Sequence, residues 1–123
     1  MRDDDLTGRV IGLAIDIHKA LGPGLLESAY HACLCHELER HGVPFQKERK
    51  LPVRYRELVL EQAYRIDLIV EGRLVVELKA VDRLLPIHEA QVLTYLRLSG
   101  IPVGLLINFN SVRLIDGVRR LMV

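Results

Sequence analysis

Apolar residues recur along this chain with two different periods. Over residues 6 to about 21, Val10, Ile11, Ala14, Ile17 and Leu21 fall at helical spacing. This predicts a first helix with Asp5 or Thr7 as N-cap, stopped by Gly22-Pro23-Gly24. A second helix is expected over residues 25–41, packed through Leu26, Tyr30, Cys33, Leu34 and Leu38 and closed by Gly42 with Pro44 beyond. From 43 to 56 the spacing turns strand-like around Phe45, Leu51, Val53 and Tyr55, and Pro52 argues for an edge or a bulge. A third helix is expected over 87–99, capped by Gly100, with Ala90, Leu93, Leu96 and the stem of Arg97 covering a sheet. The unbroken run from Pro102 to Phe109 reads as a strand covered on both sides. A last short strand over 112–115 and a tail from Gly117 follow.

Between these elements, residues 64–79 form the most informative pattern. Two β-branched and aliphatic runs flank Glu71-Gly72, a turn signal, and the runs are interrupted by Asp67, Glu77 and Lys79. A two-residue loop would mix charge and oil on both faces. A three-residue loop, Glu71-Gly72-Arg73, pairs Val70 with Leu74 and sets Asp67 opposite Glu77. One face then holds Ile66, Leu68, Val70, Leu74, Val76 and Leu78, and the other Arg65, Asp67, Ile69, Val75, Glu77 and Lys79. Because a slip of one residue would turn charges into the packed face, the three-residue loop is the expected register.

That register sets two carboxylates side by side with an ammonium group one pleat on. Opposed like charges repel, and a divalent cation stabilises both ionised forms. Carboxylate oxygens suit magnesium or manganese, which take one or two protein carboxylates plus substrate phosphate. Lys79 would orient or deprotonate a water, or neutralise charge on the phosphate. The plain alternative is that Lys79 and Arg65 form salt bridges with Glu77 and Asp67 at a sheet end.

Other residues have bland readings of comparable weight. His18 and Lys19 near a helix C-terminus, and Glu27 in the first turn of a helix, suit the macrodipole. His88, Gln91 and Tyr95 share one helical face, which is most simply a wet one. Lys47, Arg49 and Lys50, with Arg54 and Arg56, form a basic cluster diluted by Glu48, Glu57 and Glu61. It is a solvated, charge-protected edge or a rim that contacts phosphate. Arg119-Arg120 is a second basic pair or a solvated tail.

The 123 residues, 50% hydrophobic, suffice for one compact domain spanning 1–123. A net charge of +1 gives no global basic field, so any nucleic-acid contact must be local. No apolar run reaches the length of a membrane span, and the acidic opening Met1-Arg2-Asp3-Asp4-Asp5 is the wrong start for a signal peptide. A cytoplasmic protein is therefore expected. Cys33 and Cys35, two apart on a helix, point in different directions and read as reduced thiols.

Taken together, the motifs resemble a known family. Gly24-Leu25-Leu26-Glu27-Ser28-Ala29-Tyr30 matches the signature of the GxxExxY protein family, with Gly24, Glu27 and Tyr30 as its named positions. That family looks like a compact member of the PD-(D/E)XK nuclease superfamily. In the resemblance Asp67 is the strand aspartate and Glu77-Leu78-Lys79 the E-x-K, with Ile66 where many relatives carry proline. Glu27 and Gln91-Val92-Leu93-Thr94-Tyr95 are similar to the helix glutamate and Q-x-x-x-Y of RecB-type nuclease domains. The resemblance implies an α/β (α+β) fold, a restriction-endonuclease-like core with helices flanking a mixed central β-sheet. It implies a metal-dependent nuclease that hydrolyses phosphodiester bonds in nucleic acid, with DNA the expected polymer and Mg2+ (or Mn2+) the cofactor. Asp67, Glu77, the carbonyl of Leu78 and Glu27 would hold the metal. Lys79 would position the nucleophile, and Gln91 and Tyr95 would steady the lysine or meet the phosphate backbone. Lys47, Arg49, Lys50 and Arg65 are the candidate nucleic-acid contacts, and a homodimer would enlarge that surface. The alternative is a catalytically inactive nucleic-acid-binding or protein-interaction module on the same fold.

Overall fold

The computed structural model describes the backbone of residues 3–123 and the side chains from Asp5 onward, so Met1 and Arg2 of the acidic opening lie outside the described residues. Helix α1 (Asp3–Leu21) buries Leu6, Val10, Leu13, Ala14 and Ile17 along one stripe. It begins earlier than expected, so Asp5 and Thr7 lie within it rather than capping it. Leu21, at the end of the expected stripe, is exposed. Helix α2 (Glu27–Arg40) buries Tyr30, Leu34, Cys35 and Leu38. Leu26 is not on its packed side: it is the residue before the helix and is 76% exposed, while Cys35 takes the place expected of Cys33. Both cysteines are free thiols.

The chain then runs through β1 (Phe45–Tyr55), β2 (Leu58–Val70), β3 (Leu74–Lys79), α3 (Pro86–Ser99), β4 (Val103–Asn108), a 3-10 turn (Leu114–Gly117) and β5 (Val118–Met122). The five strands lie in the order β1-β2-β3-β4-β5. All neighbours are antiparallel except β3 and β4, which are parallel and joined by the α3 crossover. The last strand is therefore β5, in the stretch read as a tail. Residues 112–115 form loop and 3-10 turn instead, with His18 Nε2 donating to the Ser111 carbonyl at 2.8 Å to hold the loop on α1.

Each face of the sheet has its own core. Helices α1 and α2 cover Leu68, Val70, Leu74, Val76, Leu78, Leu105 and Ile107. On the other face α3 alone covers Ile69, Val75 and Leu106 with Val92, Tyr95 and Leu96. Ala90 and the stem of Arg97 are exposed rather than packed on the sheet. The helix approaches closely at Gly104, where an added Cβ would lie 2.9 Å from Val92 and 3.2 Å from Leu96. Strand β4 is buried at every position, as the unbroken apolar run required.

Strand β1 is an edge strand, and its register shifts between Leu51 and Val53, around Pro52. The turn between β1 and β2 carries Arg56 at φ 52. No glycine or asparagine marks it, which is why residues 58–63 were not expected to be strand. The β2–β3 hairpin has the three-residue loop, with Val70 paired to Leu74 and Ile69 to Val75. Glu71 and Gly72 both adopt left-handed backbone, at φ 52 and 65, which reconciles a central glycine with this loop length.

Candidate active site

The sheet forks at Asp67. Backbone pairing between β2 and β3 is regular as far as Leu68 and Val76. Beyond it the Asp67 side chain takes over, its Oδ2 accepting the Leu78 N–H at 2.9 Å. Opposite the fork, β1 pairs Lys47 with Leu68 and Arg49 with Ile66, leaving Glu48 between them at φ 54. The strand loses its alternation here. Ile66 packs with Ile69 and Val75 beneath α3, whereas Leu68 and Val70 pack beneath α1 and α2. The expected apolar face is therefore corrected at Ile66, because an irregularity at Asp67 reverses the parity.

Glu77 sits in the fork, 4% exposed, and its Oε1 has no hydrogen-bond partner among the described residues. Its Oε2 is 3.7 Å from Lys79 Nζ, too far for a good hydrogen bond. Burial first, and the adjoining Asp67 carboxylate second, push the Glu77 carboxyl up to about 8, against a partial offset from Lys79. The ion pair with Lys79 is thus not what governs Glu77. Near neutral pH, in the metal-free protein, its proton is retained.

Two cavities open beside the fork. One, of about 270 Å³, is lined by Asp67 with Glu27, Ser28, His31, Glu48 and Arg65. Glu27 opens helix α2, where no side chain caps the helix. Its carboxyl is raised by partial burial, with the charge of Lys79 opposing the shift and that of Asp67 adding to it. His31 Nε2 donates to the Asp67 carbonyl at 3.2 Å. The other cavity, of about 370 Å³, is lined by Lys79 with Tyr64, Ile87, His88, Gln91 and Thr94. Tyr95 is buried behind it, edge-on to Tyr64 with ring centroids 5.7 Å apart. Burial, then the charge of Glu77, raise the Tyr95 hydroxyl, which suits it to donate a hydrogen bond and not to act as a base.

The remaining expected residues divide into supports and rim. Tyr30 is fully buried, stacks on Phe109 at 4.4 Å, donates to the Gly22 carbonyl at 2.6 Å and accepts the Leu25 N–H at 3.1 Å. With Gly24 at φ 101 it fixes the α1–α2 turn that delivers Glu27. His88 Nδ1 accepts the Leu85 N–H at 2.9 Å and caps α3. Lys47, Arg49 and Lys50 are exposed on β1, and Lys50 lies directly across from Arg65. Leu78 meets Asp67 through its N–H. Sequence reasoning missed His31, Glu48 and Tyr64. His31 could have been found, because it lies one helical turn after Glu27; the approach of Glu48 and Tyr64 depends on β1–β2 pairing.

A hard divalent cation is a chemical match for this donor set: two adjoining carboxylates, one with a buried Oε1 that has no hydrogen-bond partner among the described residues. No group of three or more His, Cys, Asp or Glu side chains converges around one point among the described residues. Any ion held here would take its remaining ligands from backbone, water or substrate.

A mixed sheet flanked by helices, with an aspartate on one strand and E-x-K on the next, is the restriction-endonuclease-like α+β arrangement. Residues 4–121 match the family model of the PD-(D/E)XK nuclease superfamily, and the chain belongs to that superfamily. No curated protein and no solved structure matches it. Nucleases of this superfamily generally use divalent metals. No helix among the described residues is long and apolar enough to cross a membrane.

Proposed function

We propose that this chain is a divalent-metal-dependent nuclease of the GxxExxY type, hydrolysing phosphodiester bonds in nucleic acid, with DNA the favoured polymer and magnesium or manganese the ion. The observation that carries the reading is the buried Glu77 Oε1, without a hydrogen-bond partner among the described residues, beside Asp67, with Lys79 lining the adjoining cavity. A buried carboxyl set beside a second acid costs stability, and such a cost is retained where it serves a site.

In this reading Asp67 and Glu77 hold the ion, with the Leu78 carbonyl as a further ligand and Glu27 acting through water. When bound, the ion lowers the pKa of water and neutralises phosphate charge. Asp67 is kept in place by the Leu78 N–H and by His31 on its backbone carbonyl. Lys79 orients the attacking water and offsets charge as the new P–O bond forms and the old one breaks. Gln91 and the Tyr95 hydroxyl steady the lysine or the substrate phosphate. Lys50 and Arg65, cations facing one another across two strands, repel, and a bound phosphate would relieve that repulsion. All these groups come from one chain, so the reading does not call for a homodimer.

Calorimetric titration with manganese tests it. Binding is expected in the wild type and lost in both Asp67→Asn and Glu77→Gln. Unchanged binding in both variants would remove the shared site, and binding without cleavage of any DNA would leave an inactive nucleic-acid-binding module.

A further inference from the structure

The two cavities beside the fork differ in chemistry. The Asp67 cavity contains three carboxylates, whereas the Lys79 cavity has none and is walled by Tyr64 and Ile87. Ile87 is 68% exposed and Leu85 beside it is 42% exposed. Such apolar surface gains nothing from the outside of a duplex, which presents phosphate, sugar and polar base edges. An unpaired base offers a π-face, for which an aromatic ring and an aliphatic wall are suitable partners.

The surrounding charge favours the same occupant. Residues 45–65, the β1–β2 hairpin that supplies Tyr64, carry six Lys or Arg and three Glu, a net of +3. The whole chain is +1, so the rest is −2. The hairpin ends in exposed Tyr55 and Leu58, with the Arg56 guanidinium 5.5 Å from the Tyr55 ring centre. Basic residues interleaved with exposed aromatic ones form a surface for a single strand.

We infer that the Lys79 cavity takes one unpaired base of a nucleic-acid strand, stacked on Tyr64 and bounded by Ile87, so that the substrate is single-stranded where it is cut. Gln91 and His88 line the same cavity and bring polar side chains to it. This rests on the nuclease reading above and extends it to the substrate's form.

The test uses the full chain in EDTA, so that binding is read without turnover. A fluorescein-labelled DNA single strand and a blunt hairpin duplex of the same composition are compared by anisotropy. The single strand should bind about tenfold or more tightly than the duplex. Tyr64→Ala should weaken single-strand binding about tenfold, and Tyr64→Phe by no more than about twofold. A 2-aminopurine strand should be quenched by the wild type and less by Tyr64→Ala. Ile87→Ser, at an exposed position away from Tyr95, should also weaken single-strand binding, so a fold disturbed by Tyr64→Ala does not end the test. Equal affinity for both forms, or Tyr64→Ala and Ile87→Ser both binding as wild type, would overturn the inference. Strand preference without metal-dependent cleavage would sink only the nuclease reading. Equal cleavage of both forms, unaltered in Tyr64→Ala, would sink only the base site.

Discussion

Residues 66–79 and residues 51–64 are successive stretches of the same sheet, yet they spend their polar and apolar groups in opposite ways. In the first, Glu77 is buried with Asp67 half-buried beside it, while the aliphatic side chains around them are almost wholly buried. In the second, charges stay in water and Tyr55, Leu58, Leu60 and Tyr64 are left partly or largely exposed. The cause is coverage. Helices pack on both faces of the fork, but the outer hairpin runs past them with only Leu51 buried. Buried charge costs free energy and exposed oil gains none, so neither stretch is arranged for stability alone.

The largest expected effect separates chemistry from folding in the fork. Lys79→Ala should lower metal-dependent cleavage by about 10²–10³-fold or more. Its melting temperature should change little, because Glu77 already holds a proton near neutrality and loses no strong ion pair. Cleavage kinetics beside thermal denaturation decide it, and a loss of activity that tracked a loss of fold would reduce Lys79 to a structural residue. The next effect compares the two stretches by packing. Leu105→Ala, fully buried beneath α1 and α2, should cost about 3 kcal/mol in urea denaturation, whereas Leu60→Ser, 48% exposed, should stay within about 0.5 kcal/mol.

How far the sequence reached follows the same division. The continuous aliphatic run of β4, the helical stripes and the 70–74 register are all consequences of burial, and burial writes a period into the chain. Choosing the loop that kept charge off one face recovered the Val70 to Leu74 pairing. The reversal at Ile66 left no such mark, since Ile66 and Leu68 are both aliphatic and suit either core. The β1–β2 turn was hidden because Arg56-Glu57 lacks the usual residues for a left-handed turn, and the exposed strand after it has no strict alternation. That Tyr64 lines the Lys79 cavity was invisible for the same reason: its position comes from pairing opposite Leu51. Asp67, Glu77 and Lys79 were legible because charge inside an apolar hairpin stands out, although their mutual distances were not.

Glu77 gives a smaller effect with a defined sign. Its carboxyl is raised from 4.5 to about 8, so the folded state holds a proton that the unfolded chain releases. Stability of the metal-free protein should therefore be fully present below about pH 4.5 as far as this group is concerned, and fall as pH rises toward 8, by about 1.4 kcal/mol per pH unit across neutrality. Glu77→Gln should flatten that slope and be the more stable form at pH 8. Metal affinity should run the other way, rising by up to about tenfold per pH unit below 8 as each bound ion displaces one proton. Denaturation series at several pH values, with and without manganese, read both; a slope unchanged in Glu77→Gln would place the buried proton elsewhere.

The smallest effect belongs to the outer hairpin and asks whether its charges act on the partner or merely keep an edge strand soluble. Arg54 and Arg56 lie beyond the Pro52 irregularity, and the Arg56 guanidinium lies over the Tyr55 ring. Replacing both with serine should change folding stability by less than about 0.5 kcal/mol. If both meet phosphate, the slope of log affinity against log salt for single-stranded DNA should become shallower by about 1.4, or 0.7 for each charge lost. A change confined to Arg56→Ser would mean that only the guanidinium beside Tyr55 reaches the backbone. A slope unaltered by the double substitution would return the hairpin's charge to edge protection, leaving Lys50 and Arg65 near the fork to supply the phosphate contacts.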